Sequence, residues 1–378
     1  MKIREIRVAG LRGATPEGGW SVELRPDDVV HTLVAVHSDS GLVGVGSAFT
    51  SENLVRAALE VLAPLCVGDT ALEPERVSEN LHQHTFWLGR GGALTHTISA
   101  IDIALWDLLG QATGQPVGRL LGGRHRERVR PYASVLMDEP ERLAANLAEL
   151  TEQGFRAFKI GWGPFGRVSA AVDEAIVRSA REAVGPDALL AVDAGGSDAH
   201  WRGDLKWALR TAAMLEDHQV AWFEEPLRPD AIEDFAALRS RALVPISGGE
   251  VLTRRQSFRP CLEQRAFDIV QPDTTKVGGL SESRRIGWLA QEHGVRLIPH
   301  GWNTAVGLLA DLHLASALPD TDLVEYKTGS PYIDGITEQP FQLDADGMLP
   351  IPTGPGLGRQ LDPDRLARFA DAEELLRP

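Results

Sequence analysis

Between about residue 129 and residue 327, short apolar runs alternate with longer amphipathic stretches. The runs recur roughly every 23 to 32 residues, the rhythm of repeated βα units. The predicted strands are Val129–Val135, Ala157–Gly161, Leu189–Ala194, Ala221–Glu225, Val244–Glu250, Phe267–Asp273, Val295–His300 and Asp322–Lys327. Their apolar character is nearly continuous, as expected of parallel strands covered on both faces. Eight of them without a reversal suit a closed (β/α)8 barrel better than an open eight-stranded sheet. Upstream the pattern differs. Lys2–Val8, Thr32–His37 and Leu42–Ser47 read as a small antiparallel sheet with a turn at Ser40–Gly41. Glu52–Leu65 and Thr95–Gly110 carry apolar residues at helical spacing, the second closing on a glycine. An α+β domain over residues 1–125 is therefore expected before a barrel over 126–339. Past residue 335 the chain is rich in Pro, Gly and Asp, with a helix predicted over Pro363–Leu376. The 340–378 tail is expected to return to the N-terminal domain.

Composition narrows the function more than the fold. The chain has 378 residues, room for a barrel of roughly 250 residues and a smaller domain. A formal charge of −15, from 53 acidic against 38 basic residues, argues against a nucleic-acid or anionic-membrane partner, because the arginines are scattered rather than gathered in a patch. Cys66 and Cys261 are too far apart in sequence for a metal knuckle or a dense disulfide framework. No apolar run reaches signal-peptide or membrane-span length. A cytoplasmic enzyme is the expectation.

The chemistry lies where acids meet strand ends. AVDA, WFEEP, SGGE and VQPD each place a carboxylate at the C-terminal end of a predicted strand, the end that carries catalysis in barrels. A lone acid there is more often a helix cap or an ion-pair partner. Asp193, Glu224 and Glu250 on three successive strands, with Asp273 on the next, reverse those odds. Three carboxylates converging at one mouth repel one another and call for a cation. Hard oxygen ligands select Mg²⁺ over Zn²⁺, with Mn²⁺ as a possible substitute. Glu225 is ambiguous beside Glu224, since adjacent strand residues point to opposite faces.

Other charged groups fall at the same barrel end. Lys159, in AFKIG, lies near the end of strand two. His300, in IPHGW, ends strand seven beside Asp273. A carboxylate on one imidazole nitrogen fixes the tautomer and raises the basicity of the other, so His300–Asp273 reads as an acid/base dyad. Glu325 ends strand eight, where a low-dielectric mouth would raise its pKa and let it donate to a substrate carboxylate. Lys276 can pair with Asp273 or with an acidic intermediate.

Taken together, GRGGALTHTISAIDIALWDLLGQATGQPVGRLLGG, FKIG, VDAGG, WFEEPL, ISGGE, QPDTTKVGGL, IPHGW and VEY, in that order, resemble the enolase superfamily, specifically its mandelate racemase-like branch of acid-sugar dehydratases and racemases. The resemblance spans almost the whole chain. It implies a barrel capped by an α+β domain built from both chain ends, and Mg²⁺ on Asp193, Glu224 and Glu250, the first Glu of EEP being the family's ligand. It also implies a His300–Asp273 base and a hydroxy-carboxylate substrate. Racemases of this branch carry Lys-x-Lys on strand two, the second lysine serving as the base on the opposite substrate face. Here only Lys159 is present. Aligned from the upstream GFRA it is the first lysine and Gly161 stands in the base position; aligned from Ile160–Gly161 it is the second and Ala157 replaces the first. The former alignment is preferred and leaves His300 as the single base. One imidazole can both take the α-proton and return it to a β-hydroxyl, which favours dehydration of an acid sugar to a 2-keto-3-deoxy acid. Racemisation, epimerisation and lactone cycloisomerisation share the first step.

The branch also closes its cap with two loops, here near Thr15–Ser21 and Ala48–Glu52. Trp20 and Phe49 would wall off water, and Trp302 and Asn303 would contact the distal substrate. Arg167, after strand two, could meet a second acidic group. A homo-oligomer is the expected assembly. Two other classes remain for comparison. A non-catalytic metal-dependent acid-sugar binder would keep the three acids but has no need of a dyad. A phosphoryl-transfer or hydrolytic metalloenzyme would need a phosphate loop or nucleophile elbow, and neither pattern occurs.

Overall fold

The computed structural model describes residues 1–13, 30–195 and 204–377. The N-terminal antiparallel sheet is β1 (Ile3–Leu11), β2 (His31–Ser38) and β3 (Val43–Ala48), followed by α1 (Glu52–Cys66), α2 (Pro74–His84) and α3 (Gly92–Thr113). Gly44 and Gly46 let β3 lie directly on α3: a Cβ at either would come within 2.1 Å of Ala104 O and 1.8 Å of Ala100 O respectively. The VGVGS alternation is thus a packing requirement.

After one short turn, α4 (Val117–Leu120), the barrel begins. Its strands are β4 (Arg128–Leu136), β5 (Ala157–Gly161), β6 (Leu189–Asp193), β7 (Phe223–Glu224), β8 (Ile246–Gly248), β9 (Ile269–Val270), β10 (Arg296–Leu297) and β11 (Leu323–Lys327). Between and after them come α5 (Pro140–Glu152), α6 (Ala170–Val184), α7 (Leu205–Asp217), α8 (Ile232–Arg239), α9 (Arg254–Glu263), α10 (Gly279–Glu292), α11 (Ala305–Ala317) and the short α12 (Pro331–Asp334). Successive strands pair in parallel from β4 to β10, and β11 returns to pair with β4. Arg296 meets Asp322, and the Gly301 N–H donates to Glu325, which ties β10 to β11 and completes the ring. All eight expected strands are present. Two are one residue shorter than expected and four are cut to two or three residues, because Pro226, Pro245, Pro272 and Pro299 lack the N–H that a longer ladder needs. Tyr132, Ala157, Ala191, Trp222, Ile269, Ile298 and Leu323 fill the barrel interior beneath the mouth.

The tail reaches the N-terminal sheet. β12 (Leu349–Pro350) pairs antiparallel with β4. His37 Nε2 lies 2.9 Å from Leu375 O, the Arg12 N–H donates to Phe369 O, and Arg56 pairs with Glu374. The single helix expected over Pro363–Leu376 is instead two, α13 (Pro363–Leu366) and α14 (Ala372–Leu376). Phe369 breaks it by turning inward onto Tyr332, and Asp371 then caps the second piece by accepting from Glu374 N–H. Among the described residues no helix is long and apolar enough to cross a membrane.

Candidate active site and metal centre

Asp193 ends β6, Glu224 ends β7, and Glu250 lies just past β8. One carboxylate oxygen from each lies within 4.8 Å of the others. Their remaining lone pairs are taken up from below and from the side: Trp222 Nε1 and Gln271 Nε2 donate to Glu224 Oε2 at 2.9 and 2.8 Å, and the Gly195 N–H donates to Asp193 Oδ1 at 2.7 Å. Lys159 Nζ lies 2.5 Å from Glu224, 3.3 Å from Asp193 and 3.1 Å from Glu325. Lys276 Nζ lies 3.7 Å from both Glu250 and Asp273. Even so, among the described residues acids outnumber the cations paired with them: Asp193, Glu224, Glu225, Glu250, Asp273 and Glu325 against Lys159, Lys276 and His300, with Lys327 farther off. Burial, and then the charge of Glu224, push Asp193 well above the usual carboxylate range. Buried like charges at this spacing need a cation among them. Three all-oxygen donors fit a hard divalent ion.

Glu225 does not point away as strand alternation would have it. Its backbone turns left-handed (φ 43°), and its buried carboxylate accepts from the Gly249 N–H at 3.0 Å, beside the metal carboxylates. Burial, with Glu250's charge behind it, raises its pKa to about 8. Such a backbone is costly for a non-glycine residue and is characteristic of functional sites.

His300 is clamped at both nitrogens, with Nδ1 2.8 Å from Asp273 Oδ2 and Nε2 3.1 Å from Glu250 Oε2. Asp273 is fixed in turn by the Thr275 N–H and hydroxyl at 2.7 and 2.6 Å. Burial is the largest influence and would lower the pKa of His300, but the charges of Glu250 and Glu325 and the hydrogen bond to Asp273 together overcome it and lift the pKa to about 9. Glu325 departs from expectation. Burial should raise its pKa, yet Lys159, His300 and the Gly301 N–H overcome that and hold it near 2, so it is ionised rather than a donor. The cation responsible arrives from another strand, which the local sequence around Glu325 does not reveal.

Strand pairing bears on which lysine is missing. Gly161 pairs with Asp193, and Lys159 pairs one layer deeper with Ala191, a barrel-interior residue. The position level with Asp193 is therefore Gly161, which has no side chain. A Cβ there would stand 2.8 Å from Asp193 Cβ. Gly161→Ala is expected to displace Asp193 and weaken divalent-metal binding by about 10- to 100-fold, the range seen when groups supporting a ligand are disturbed. Calorimetric titration with Mg²⁺ or Mn²⁺ tests this, and unaltered affinity would show that the close packing at Gly161 does not position the ligand.

Several buried groups hold protons in the folded, metal-free chain at pH values where the unfolded chain has lost them. Glu225 (about 8) and Asp102 (about 7) are raised first by burial, and His300 (about 9) by Glu250. Burial holds His31, His82, His96 and His313 down and so acts the other way near pH 6.5, but above about pH 7 these rings are mostly neutral in both states, and the folded state binds more protons than the unfolded state between about pH 7 and 8. Stability must fall with rising pH across that window, by up to about 1.4 kcal/mol per pH unit for each group. The melting temperature of chelator-treated protein should drop from about pH 7 to about pH 8, with added Mg²⁺ recovering most at the alkaline end. A flat or rising profile would contradict these protonation states.

The structure brings Lys159, Asp193, Glu224, Glu250, Asp273, Lys276, His300 and Glu325 to one mouth. Phe49 lies over Lys276, the ammonium 4.2 Å from the ring centroid. Trp302 and Asn303 are buried beside a small cavity that adjoins the mouth. Trp20 and the loop around it lie outside the described residues. Arg167 makes no ion pair within 4 Å among the described residues. Several contributors escaped the sequence reading. Trp222 and Lys327 stand two residues from Glu224 and Glu325, so strand alternation could have flagged them. His31 and His96, which reach over from the N-terminal domain, carried no local signal. A cleft of about 970 Å³ runs between α5 and the tail and is lined by none of the mouth carboxylates.

Fold and site define the class: a capped (β/α)8-barrel enzyme with carboxylates able to hold a divalent cation. Residues 27–122 match the family described as mandelate racemase/muconate lactonizing enzyme, N-terminal domain, and residues 142–365 match the enolase C-terminal domain-like family. The chain belongs to the enolase superfamily, in its mandelate racemase-like branch. It is 32% identical to D-galactarolactone cycloisomerase of Agrobacterium fabrum, over 98% of this chain and 99% of that protein. It is 31% identical to D-xylonate dehydratase of Haloferax volcanii, over 91% of this chain and 86% of that protein. The crystal structure of 3,6-anhydro-D-galactonate cycloisomerase from Zobellia galactanivorans superposes with a TM-score of 0.87 at 30% identity, covering 98% of this chain and all of that one.

Proposed function

We propose that this enzyme removes the α-proton of an acid sugar with His300 and expels the β-oxygen to give a 2-keto-3-deoxy acid, with Mg²⁺ on Asp193, Glu224 and Glu250. One observation carries the reading: Nδ1 of His300 is locked on Asp273 while Nε2 faces Glu250 at 3.1 Å, so the basic nitrogen opens onto the metal carboxylates. The metal, when bound, would neutralise the charge that grows on the substrate carboxylate as its α-proton leaves. Lys159 and Lys276 add fixed positive charge on that side. Phe49 helps exclude water above Lys276.

With Gly161 in place of a second lysine, no second base stands level with Asp193 on strand β5, which supports elimination over two-base racemisation. His300 takes the α-proton and can return it to the departing oxygen on the same face. If that oxygen is a hydroxyl, water leaves and the reaction is a dehydration. If it belongs to a ring, the ring opens with all atoms retained and the reaction is an isomerisation. Both outcomes match the reactions named for the relatives, and the open-chain dehydration is the principal reading. The test is a panel of mono- and diacid sugars and their lactones, incubated with Mg²⁺ and assayed for 2-keto acid. Product from at least one member is expected. Tight binding with no product from any would favour a binder.

A further inference from the structure

Along β11, Leu323 faces the barrel interior and Glu325 faces Lys159, while Val324 and Tyr326 pack into the outer core. Alternation therefore puts Lys327 on the inner face at the mouth, one step of about 7 Å above Glu325. Lys159 has carboxylates of three residues within 3.3 Å, and Lys276 has two at 3.7 Å. Lys327 has none within 4 Å among the described residues. Its ammonium donates to the carbonyl of the adjacent Thr328 at 3.2 Å and lies 4.4 Å from the centroid of the Trp302 ring. That face orients a cation but brings no counter-charge. Burial consequently pushes its pKa down to about 8.

Lys327 lines a cavity of about 90 Å³ with His31, Trp302, Asn303, Ser330 and Tyr332, and also the edge of the cleft beside α5. His31 is buried, and its Nδ1 has no hydrogen-bond partner among the described residues. Two polar groups line one cavity, a cation with no carboxylate within 4 Å among the described residues and a ring nitrogen without a partner, and with the imidazole proton on Nδ1 both donate to an anionic acceptor. The cavity adjoins the chemistry: Trp302 and Asn303 follow the base directly, and His31 lies close enough to Asp273 and His300 to feel their charges.

We propose that Lys327 and His31 form a subsite for a second carboxylate at the end of the substrate remote from the metal, making the preferred substrate a diacid sugar or its monolactone. One cation and one ring nitrogen suit a singly charged carboxylate better than a phosphate dianion, which would call for more donors. The assignment rests on the acid-sugar reading above and names the substrate class within it.

The test compares six-carbon aldaric acids with aldonic acids of the same hydroxyl configuration and with their 6-phosphates, on wild type, Lys327→Met and Lys327→Arg. Wild type is expected to favour the diacid in kcat/KM. Lys327→Met should cut the diacid-to-monoacid ratio by about 10- to 100-fold, mainly through KM, and Lys327→Arg should restore part of it. Calorimetric binding of the same acids to the Mg²⁺-loaded protein gives a readout independent of turnover. A ratio unmoved by Lys327→Met, or a stronger preference for the 6-phosphate, overturns the subsite while leaving the elimination reading intact. Diacid binding that depends on Lys327, with no turnover of any acid, supports the subsite and sinks the catalytic reading instead.

Discussion

Replacing His300 with Asn is expected to lower kcat by about 10⁴-fold, the upper range for losing a general base, while divalent-metal affinity stays within a few-fold. Asn is close to isosteric and can still donate from its amide toward Asp273, which accepts from His300 Nδ1 at 2.8 Å. It cannot take up a proton. Glu250 loses the partner 3.1 Å away but keeps Lys276, so the metal carboxylates remain organised. Steady-state kinetics paired with metal titration separates the two effects. Unchanged turnover would remove His300 from the reaction, and a parallel collapse of metal binding would make its role one of scaffolding.

The second large effect is expected at Asp193, and there stability and function should move in opposite directions. Asp193→Asn removes one of three ligands and should weaken metal binding by more than about 100-fold, beyond the range for supporting groups, with activity lost accordingly. The same change relieves a buried carboxylate that burial and Glu224 already push toward protonation. The metal-free variant should therefore melt at a higher temperature than metal-free wild type above neutral pH. Lys159 would retain Glu224 and Glu325 as partners. An acid kept only for structure would show the reverse, with destabilisation and intact activity.

The barrel was legible because its strands are buried on both faces and each is followed by an amphipathic helix. Strand extents were less so, since prolines 226, 245, 272 and 299 end the ladders while the chain continues alongside, as the isolated Asp273–His300 bridge shows. The acids Asp193, Glu224 and Glu250 could be picked out because each stands at a strand end in a repeating context. Their protonation could not be, for it depends on partners from other strands: Lys159 ionises Glu325, and the left-handed turn at residue 225 brings Glu225 back to the site. Pairing of Gly161 with Asp193 bears on a register that the motif alone left between two alignments. His31 reaches the mouth only through the docking of the N-terminal sheet on the barrel, a tertiary fact with no local trace. Lys327 is different, since its place two residues after Glu325 was readable and its lack of an anion was not.

The most direct measurement is exchange at the α-carbon in D₂O. Acid sugars incubated with the Mg²⁺-loaded enzyme and followed by NMR should show loss of the α-proton, appearing as 2-keto product or as deuterium in recovered substrate. Recovered substrate should keep its C2 configuration, because the base stands on one face only, and both signals should vanish with His300→Asn or with chelator. Formation of both C2 epimers would contradict the single-base site, and bound acids that neither exchange nor react would contradict proton abstraction altogether.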